Sequence, residues 1–391
     1  MNLQLLKSDV QKFIDKNLKS DLTKLILKGS PFKETSIQEL ANQIVAKQKS
    51  EKKLPTWFSS ENIYYPPKVS IEQTSSEITA DYKSKLLKGD VIVDITGGFG
   101  IDCYYFSKQF KEVIHCEIDA TLSTIVAHNY QQLKQHTIVT HFGDGIQYLK
   151  NKQENFDCIY VDPSRRNDRK EKVFLLKDCV PNVPDHLDFL FSKSKQVLLK
   201  NSPILDITSA INELKFVKEI HVVAVDNEVK EVLFLLEKGF VGTLPVKTIN
   251  ILKNKTQHFN FLWNSPAESE YSEPLLYLYE PNAALLKSGG FHQVSAQLSI
   301  FKLHQHSHLY TSENLIAFPG RIFKIETVLS YDKKQIGKLV SHKKANITTR
   351  NFPKTVAQIR QETKIKEGGT LFLFFTTSKN NQLIVIFCSK E

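Results

Sequence analysis

Val91–Asp119 read VIVDITGGFGIDCYYFSKQFKEVIHCEID, and this stretch decides the fold. A short apolar run ends on Asp94. A glycine-rich turn follows (Thr96, Gly97, Gly98, Gly100), then a segment long enough for a helix, then a second apolar run ending on Glu117. Strand, loop, helix, strand places a backbone-hugging loop and an acidic side chain at one edge of a parallel sheet. Outward from it, apolar runs alternate with helical stretches from about residue 88 to 265. Strands are expected at Val91–Asp94, Glu112–Glu117, Thr137–His141, Phe156–Val161, Gln196–Leu199, Glu219–Val225, Thr248–Leu252 and Phe259–Trp263. Such alternation predicts an α/β fold with a mostly parallel, Rossmann-like sheet covered on both faces. The last two runs are close enough to form a terminal hairpin, which predicts one antiparallel strand.

The loop chemistry narrows the ligand. A dinucleotide site wants GxGxxG, so that a pyrophosphate can approach the backbone at a helix N-terminus. Here the order is Asp94-Ile95-Thr96-Gly97-Gly98-Phe99-Gly100, and Asp94 would repel a phosphate. S-adenosylmethionine carries no phosphate. Its ammonium favours one carboxylate and its ribose diol a second, for which Glu117 is placed; Asp144, after the third strand, is placed near the adenine. The arrangement resembles the class I S-adenosylmethionine-dependent methyltransferases over residues 71–263. Thr96 stands where that family usually has its first glycine. The resemblance adds Gln73 and Ser75, from the segment before the first strand, as contacts for the methionine end, and Asp102 as a helix cap or a contact for the cofactor amino group.

The fourth strand leads into Asp162-Pro163-Ser164-Arg165-Arg166. In amino-methylating members of the superfamily this place holds Asp/Asn-Pro-Pro-aromatic, which orients an exocyclic amine for attack on the methyl group. Positioning a weak nucleophile carries most of such catalysis. Asp162 and Pro163 fit that pattern. Ser164 replaces the second proline and Arg165 the aromatic, so a guanidinium would stack on the base or hold a phosphate. No cysteine lies in this loop, which disfavours a covalent mechanism needing a thiolate.

The flanks supply the rest. Residues 1–85 read as a helical region, with Ser36 and Glu39 forming a capping box. The polar break Asn264–Glu270 ends the 86–266 methyltransferase domain. A small segment covers 267–320, and 321–391 reads strand, helix, strand, helix, strand, strand. The segments Tyr279–Gly290 and Ala345–Pro353, with Gln73–Ser76 and Asp162–Arg166, resemble a methyltransferase group of Bacteroidetes. That group combines the methyltransferase core with a ferredoxin-like insert and a C-terminal THUMP-like domain. The resemblance implies an RNA partner, rRNA or tRNA. The formal net charge of +10 agrees in direction, as do the bases between Ser341 and Lys366: Lys343, Lys344, Arg350, Lys354 and Arg360 are expected to contact RNA together with Arg166. The five cysteines show no CxxC pair, which suits a reducing cytoplasm and predicts no metal site. No membrane association is expected. The sequence thus predicts an S-adenosylmethionine-dependent methyltransferase acting on an RNA base amine. A methyltransferase for protein or small molecules, and a non-catalytic RNA-binding module with a relic pocket, are the alternatives.

Overall fold

The computed structural model describes residues 1–165, 175–340 and 344–391, with the Arg165 side chain also outside the description. Arg166 and Lys343 therefore lie outside the described residues. The chain divides into two compact units. The first comprises Met1–Glu219 and Glu231–Gly242, the second Ile220–Lys230 and Thr243–Glu391.

The first unit begins with six helices: α1 (Ser8–Lys16), α2 (Leu22–Lys28), α3 (Ile37–Lys53), α4 (Pro55–Ser59), α5 (Lys68–Gln73) and α6 (Glu77–Ser84). The Ser36–Glu39 capping box forms as expected. Glu39 N–H donates to Ser36 Oγ at 3.2 Å and Ser36 N–H donates to Glu39 Oε2 at 2.8 Å. Leu5, Val10, Ile14, Leu25, Leu40 and Ile44 close a small core among these helices. Proline at the first position starts α4, where the missing N–H has no intrahelical partner to lose.

Strand and helix then alternate: β1 (Val91–Asp94), α7 (Ile101–Phe106), β2 (Glu112–Glu117), α8 (Ala120–Gln132), β3 (Ile138–Phe142), α9 (Gly145–Lys150) and β4 (Phe156–Val161). A short ribbon follows, β5 (Ser164–Arg165) antiparallel to β6 (Cys179–Val180). Next come α10 (Val183–Lys193), β7 (Ser194–Asn201), α11 (Ile207–Glu213), β8 (Val217–Val225) and β9 (Glu228–Glu237). Within the first unit the strand order is β9-β7-β4-β1-β2-β3. The pairs β7–β4, β4–β1, β1–β2 and β2–β3 are parallel. Ile92, Val93, Cys158, Ile159, Val197 and Leu198 are all but inaccessible, as expected where helices cover both faces. The chain order reverses between β1 and β4, and ligands bind open α/β sheets at such a switch point.

One expectation is corrected here. The sequence predicts no strand between Val225 and Thr248, yet Glu228–Glu237 is one. This strand, β9, runs antiparallel to β7. Asp226 and Asn227 before it have φ of +49° and +63°, the left-handed pair of a tight primed turn. Val232–Leu236 is buried throughout, so it lacks the alternation that marks a half-exposed strand.

The second unit holds β10 (Pro245–Ile251) and β11 (Thr256–Leu262), which form the expected antiparallel hairpin, with β10 parallel to β8. Its other sheet contains β12 (Tyr277–Pro281), β13 (Phe301–Lys302), β14 (Tyr310–Ser312), β15 (Gly320–Ser330), β16 (Asn346–Arg350), β17 (Leu371–Thr377) and β18 (Leu383–Lys390), with helices α12 (Ala283–Ser288), α13 (Phe291–Leu298), α14 (Lys333–Leu339) and α15 (Val356–Thr363). The order is β13-β14-β12-β15-β18-β17-β16. Ile336 of α14 and Ile359 of α15 pack with Leu373, Phe375 and Val385 of the sheet. Among the described residues, no helix is long and apolar enough to cross a membrane.

Candidate cofactor and acceptor site

The loop after β1 is held tightly against its own sheet. Gly97 N–H donates to the Cys116 carbonyl at 2.8 Å, and a Cβ at Gly97 would overlap the His115 ring. Gly100 has φ +79°, and a Cβ there would overlap the Tyr130 hydroxyl, which donates to the Gly100 carbonyl at 2.7 Å. These two glycines are required by packing. Gly98 differs: its φ is +54°, but an added Cβ meets nothing nearer than the Thr96 carbonyl at 3.9 Å. The loop is open at that point. Buried His115 has its pKa pulled down to about 4 by desolvation. It is therefore neutral, and its Nε2 donates to the Gly98 carbonyl at 3.2 Å.

Asp94 ends β1 almost fully buried. Its Oδ1 accepts from the Thr96 N–H at 2.8 Å and from the Thr96 hydroxyl at 3.1 Å. Burial pushes its pKa up to about 7; the Thr96 N–H opposes this and the neighbouring Asp102 adds to it. Thr96 Oγ1 also accepts the Asp162 N–H at 2.7 Å. A glycine could not do this. The threonine that departs from the family pattern is the hydrogen-bonded link between the loops after β1 and β4.

Asp102, in the first turn of α7, accepts at Oδ2 from Ser75 Oγ at 2.8 Å and from the Tyr160 hydroxyl at 2.9 Å. Lys83 of α6 lies 3.2 Å from its Oδ1. Lys83 is wholly buried and also donates to Ser75 Oγ at 3.0 Å and to Glu231 Oε2 of β9 at 2.6 Å. Burial alone would raise the Asp102 pKa, but Lys83, then Lys200, outweigh it and lower it. For Glu231 burial wins over the same two lysines, and its pKa is raised. Lys200 of β7 forms an ion pair with Asp162 Oδ2. Burial works against the Lys200 charge, but Asp162, Asp102 and Glu231 together drive its pKa above the ordinary lysine value.

The remaining nominated residues sit as follows. Glu117 ends β2 and accepts from Gly98 N–H at 2.8 Å and Asp119 N–H at 2.7 Å. Asp144 is exposed and caps α9 through Gln147 N–H at 2.7 Å. Gln73 closes α5 with an exposed side chain, whereas Ser75 is buried on Asp102. Pro163 follows Asp162, and exposed Ser164 lies on β5 with its hydroxyl 3.4 Å from the Val180 carbonyl. The strand topology therefore gathers Asp94, Thr96, Asp162 and Lys200 into one bonded group, and Ser75, Lys83, Asp102 and Glu231 into a second. Glu117 joins the same loop through Gly98.

Three residues near these loops were not nominated from the sequence. The first is Lys83, whose partner Glu231 is distant in sequence. Ile118 and Phe142, 70% and 60% exposed, flank the ends of β2 and β3; Phe142 pairs with Glu117 in the strand register. Their signal was available, since a large apolar residue beside a strand-terminal acid has no core to enter.

The basic residues of the second unit are placed differently. Arg350 bonds Glu280 Oε1 at 2.9 Å, and Arg321 Nε bonds Glu280 Oε2 at 2.6 Å. Arg360 donates to the carbonyls of Ile365 at 3.2 Å and Ala345 at 3.3 Å. Lys354 pairs with Glu362 at 2.8 Å and contacts the Tyr331 hydroxyl at 3.2 Å. Lys344 is exposed beside β16.

A family model described as a ferredoxin-like domain matches residues 277–319, and one described as THUMP domain-like matches residues 320–390. The whole chain is similar to the crystal structure of a candidate methyltransferase from Porphyromonas gingivalis W83. The two share 30% identity over 99% of this chain and 98% of that one, with a TM-score of 0.88. More remote is M. capricolum TrmK in complex with S-adenosyl-homocysteine, at 14% identity over 45% of this chain and 70% of that one, TM-score 0.33. A candidate RNA methyltransferase from Pyrococcus horikoshii is 16% identical over 49% of this chain and 99% of that one, TM-score 0.34. No curated protein matches the chain.

Proposed function

The chain belongs to the methyltransferase family in which a class I core is joined to ferredoxin-like and THUMP-like regions, and from that premise we propose that it is an S-adenosylmethionine-dependent methyltransferase acting on an exocyclic amine of an RNA base. The observation that carries the reading is the Thr96 hydroxyl, bonded at once to Asp94 and to the Asp162 N–H. It couples the loop suited to the cofactor with the loop suited to the acceptor at the switch point of the sheet.

The residues fit this cofactor. The backbone at Gly97 and Gly100 is pressed onto the sheet, the loop is open at Gly98, and an acid precedes it. Glu117 would hold the ribose hydroxyls, because a carboxylate accepting two N–H bonds still has lone pairs to offer. Ile118 and Phe142 would flank the adenine, with Asp144 at its edge. Asp94 and Asp102 would face the methionine ammonium, with Ser75 and Gln73 toward that end. When bound, the cofactor supplies an electrophilic methyl group.

The acceptor side follows from how Asp162 is fixed. Thr96 holds its N–H and Lys200 its Oδ2, which leaves Oδ1 and the Pro163 carbonyl to receive the hydrogens of an amine. An exocyclic amine loses its proton only after attack, so Asp162 orients it by hydrogen bonding and need not act as a strong base. By the resemblance to Asp/Asn-Pro-Pro-aromatic, Ser164, Arg165 and Arg166, which follow in sequence, would grip the base.

RNA as the substrate is supported by the THUMP-like match and the positive net charge. The internal use of Arg350 and Arg360 favours a second reading, a protein or small-molecule substrate, because it removes two of the nominated phosphate contacts. Mass-spectrometric comparison of modified nucleosides in total RNA, with and without the gene, decides between them: a missing methylated nucleoside supports RNA, and identical profiles sink it. For the cofactor, Gly98→Arg should fill the open side of the loop and abolish S-adenosylmethionine binding in calorimetry. Unchanged affinity would remove the loop from the site.

A further inference from the structure

The strand register sets a cation beside the acceptor acid. β4 and β7 run parallel, with Val161 level with Leu199. One step further along, Asp162 and Lys200 stand side by side on one face, because side chains alternate across a strand. The Lys200 side chain is 11% exposed and forms an ion pair with Asp162 Oδ2. It makes no other hydrogen bond or ion pair among the described residues. An ammonium group has three hydrogens to donate and no lone pair. Lys200 therefore keeps hydrogens without an acceptor, at the place where the substrate amine would meet Asp162 Oδ1 and the Pro163 carbonyl. A nearly buried donor of this kind seeks a partner.

The groups around it are engaged elsewhere. Asp102 and Glu231 pair with Lys83, the Tyr160 hydroxyl donates to Asp102, and Thr96 Oγ1 takes the Asp162 N–H. The two acids still act on Lys200 at longer range. Burial opposes its charge, but Asp162, Asp102 and Glu231 together hold its pKa above the ordinary lysine value. Lys200 thus stays an ammonium, a donor only.

We propose that Lys200 is a specificity-determining residue of the acceptor site: with Asp162 it reads an exocyclic amine next to an unprotonated ring nitrogen, which makes the substrate base adenine or cytosine rather than guanine. The inference rests on the reading of this site as one that methylates an RNA base amine, and narrows it. Unstacked bases are read along the edges that carry these groups. In adenine and cytosine the amine would donate to Asp162 Oδ1 while the adjoining ring nitrogen accepts from Lys200. Guanine turns a ring N–H to one flank of its amine, so two donors would face each other. Its ring nitrogen on the other flank lies close to the ribose. Opposed donors in a desolvated site cost more than a missing contact.

The pair also selects which atom reacts. The ring nitrogen of adenine or cytosine is a better nucleophile than the amine, whose lone pair is delocalised into the ring. Lys200 covers the ring lone pair, and Asp162 and the Pro163 carbonyl draw on the amine hydrogens. The amine nitrogen bonds the methyl carbon as the carbon–sulfur bond breaks, and that electron pair stays on sulfur as a neutral thioether. The nitrogen then gives up one proton to water.

The test uses the full chain, S-adenosylmethionine labelled in its methyl group, and total RNA from cells lacking the gene, digested at neutral pH to nucleosides. The label is expected in N6-methyladenosine or N4-methylcytidine. Label in N2-methylguanosine overturns the proposal and leaves the base-amine reading standing. Label on a ring nitrogen, on carbon or on ribose, or no label in RNA at all, overturns both. Two variants test the residue itself. Lys200→Met removes the donor. Turnover should fall roughly 10- to 100-fold, the scale of a hydrogen bond to a charged group, with S-adenosylmethionine affinity by calorimetry retained. Part of the residual label should move to a ring nitrogen, because its lone pair is no longer covered. Lys200→Arg keeps a cationic donor and should recover turnover on the same nucleoside. A Lys200→Met protein that matches the wild type in rate and product overturns the proposal. So does a slow one whose label stays wholly on the amine with no recovery in Lys200→Arg, which would reduce Lys200 to a support for Asp162. The wild-type product decides between the bases even if the variants fail to fold.

Discussion

The sheet edge of the first unit and the basic segment of the second treat charge in opposite ways. At the sheet edge, residues scattered from Ser75 to Glu231 converge through strand topology into two bonded groups, one built on Lys83 with Asp102 and Glu231, the other on Lys200 with Asp162. In the basic segment, side chains that sit close together in sequence disperse into separate structural tasks: Arg350 to Glu280, Lys354 to Glu362, Arg360 to two carbonyls. A cluster of charges along the chain says little about a cluster in space. Acids at the ends of successive parallel strands say much more, because the sheet brings those ends together.

The largest expected effect tests whether the first region is a reaction site. Asp162→Ala removes the oriented acceptor oxygen and the partner of Lys200. Methyl transfer to RNA from cells lacking the gene should fall about 10²-fold or more, the scale expected when a group positioned at the reacting atoms is removed. Cofactor affinity by calorimetry should persist. Turnover at the wild-type rate would make the network structural and the comparison one of stability alone.

The next prediction tests whether the arginines of the second region are structural. Glu280 is 4% exposed and holds both Arg321 and Arg350. Glu280→Ala leaves two guanidinium groups crowded without their acid. It should cost about 2 kcal/mol, below the usual figure for breaking a buried pair because both arginines reach solvent. Denaturant unfolding followed by fluorescence measures it. A stability change near zero, with weakened RNA binding in Arg350→Ala, would return Arg350 to the RNA surface.

How far the sequence revealed each region follows the same logic. β1, β2 and β4 were legible to the residue, because a buried parallel strand is a mostly apolar run, and an acid ends it in β1 and β2 and directly follows it in β4. The C-terminal order of strands and helices was equally plain, since each helix starts at a capping residue, Asp332 or Thr355. β9 was not, because its buried run Val232–Leu236 lacks the alternation of a half-exposed strand and the tight turn at Asp226 and Asn227 carries no glycine. Lys83 was not, because its meaning depends on Glu231 and Asp102, which only the fold brings to it. The role of Thr96 was hidden for a related reason: its hydroxyl bridges two loops that are 66 residues apart.

A third prediction concerns pH. Asp94 titrates from an ordinary value of 3.8 when unfolded to about 7 when folded. Between those values the folded chain holds a proton that the unfolded chain has released. Stability therefore falls as pH rises through that window, by up to about 1.4 kcal/mol per pH unit, and the Asp94 contribution is flat above it. Asp94→Asn should flatten the fall in denaturant midpoints measured from pH 4 upward. An unaltered slope would mean that Asp94 stays ionised throughout, and the contrast between a strained first region and a satisfied second one would lose its main term.

The smallest effect asks what is left of the basic surface once its structural members are set aside. Lys344 is exposed, and Lys354 keeps a partly exposed ammonium beside Glu362. Removing one phosphate-neutralising cation lowers the slope of log affinity against log salt by about 0.7–0.9. Lys344→Glu with Lys354→Glu should therefore weaken RNA binding severalfold and flatten its salt dependence by about one to two units, as read by filter binding over a salt series. The same double change should leave S-adenosylmethionine affinity untouched, because neither lysine belongs to the network around Asp94. Affinity and salt slope that both stay put would show that the second region gives all its positive charge to its own fold, as Arg350 and Arg360 already do, and that RNA is gripped through other residues.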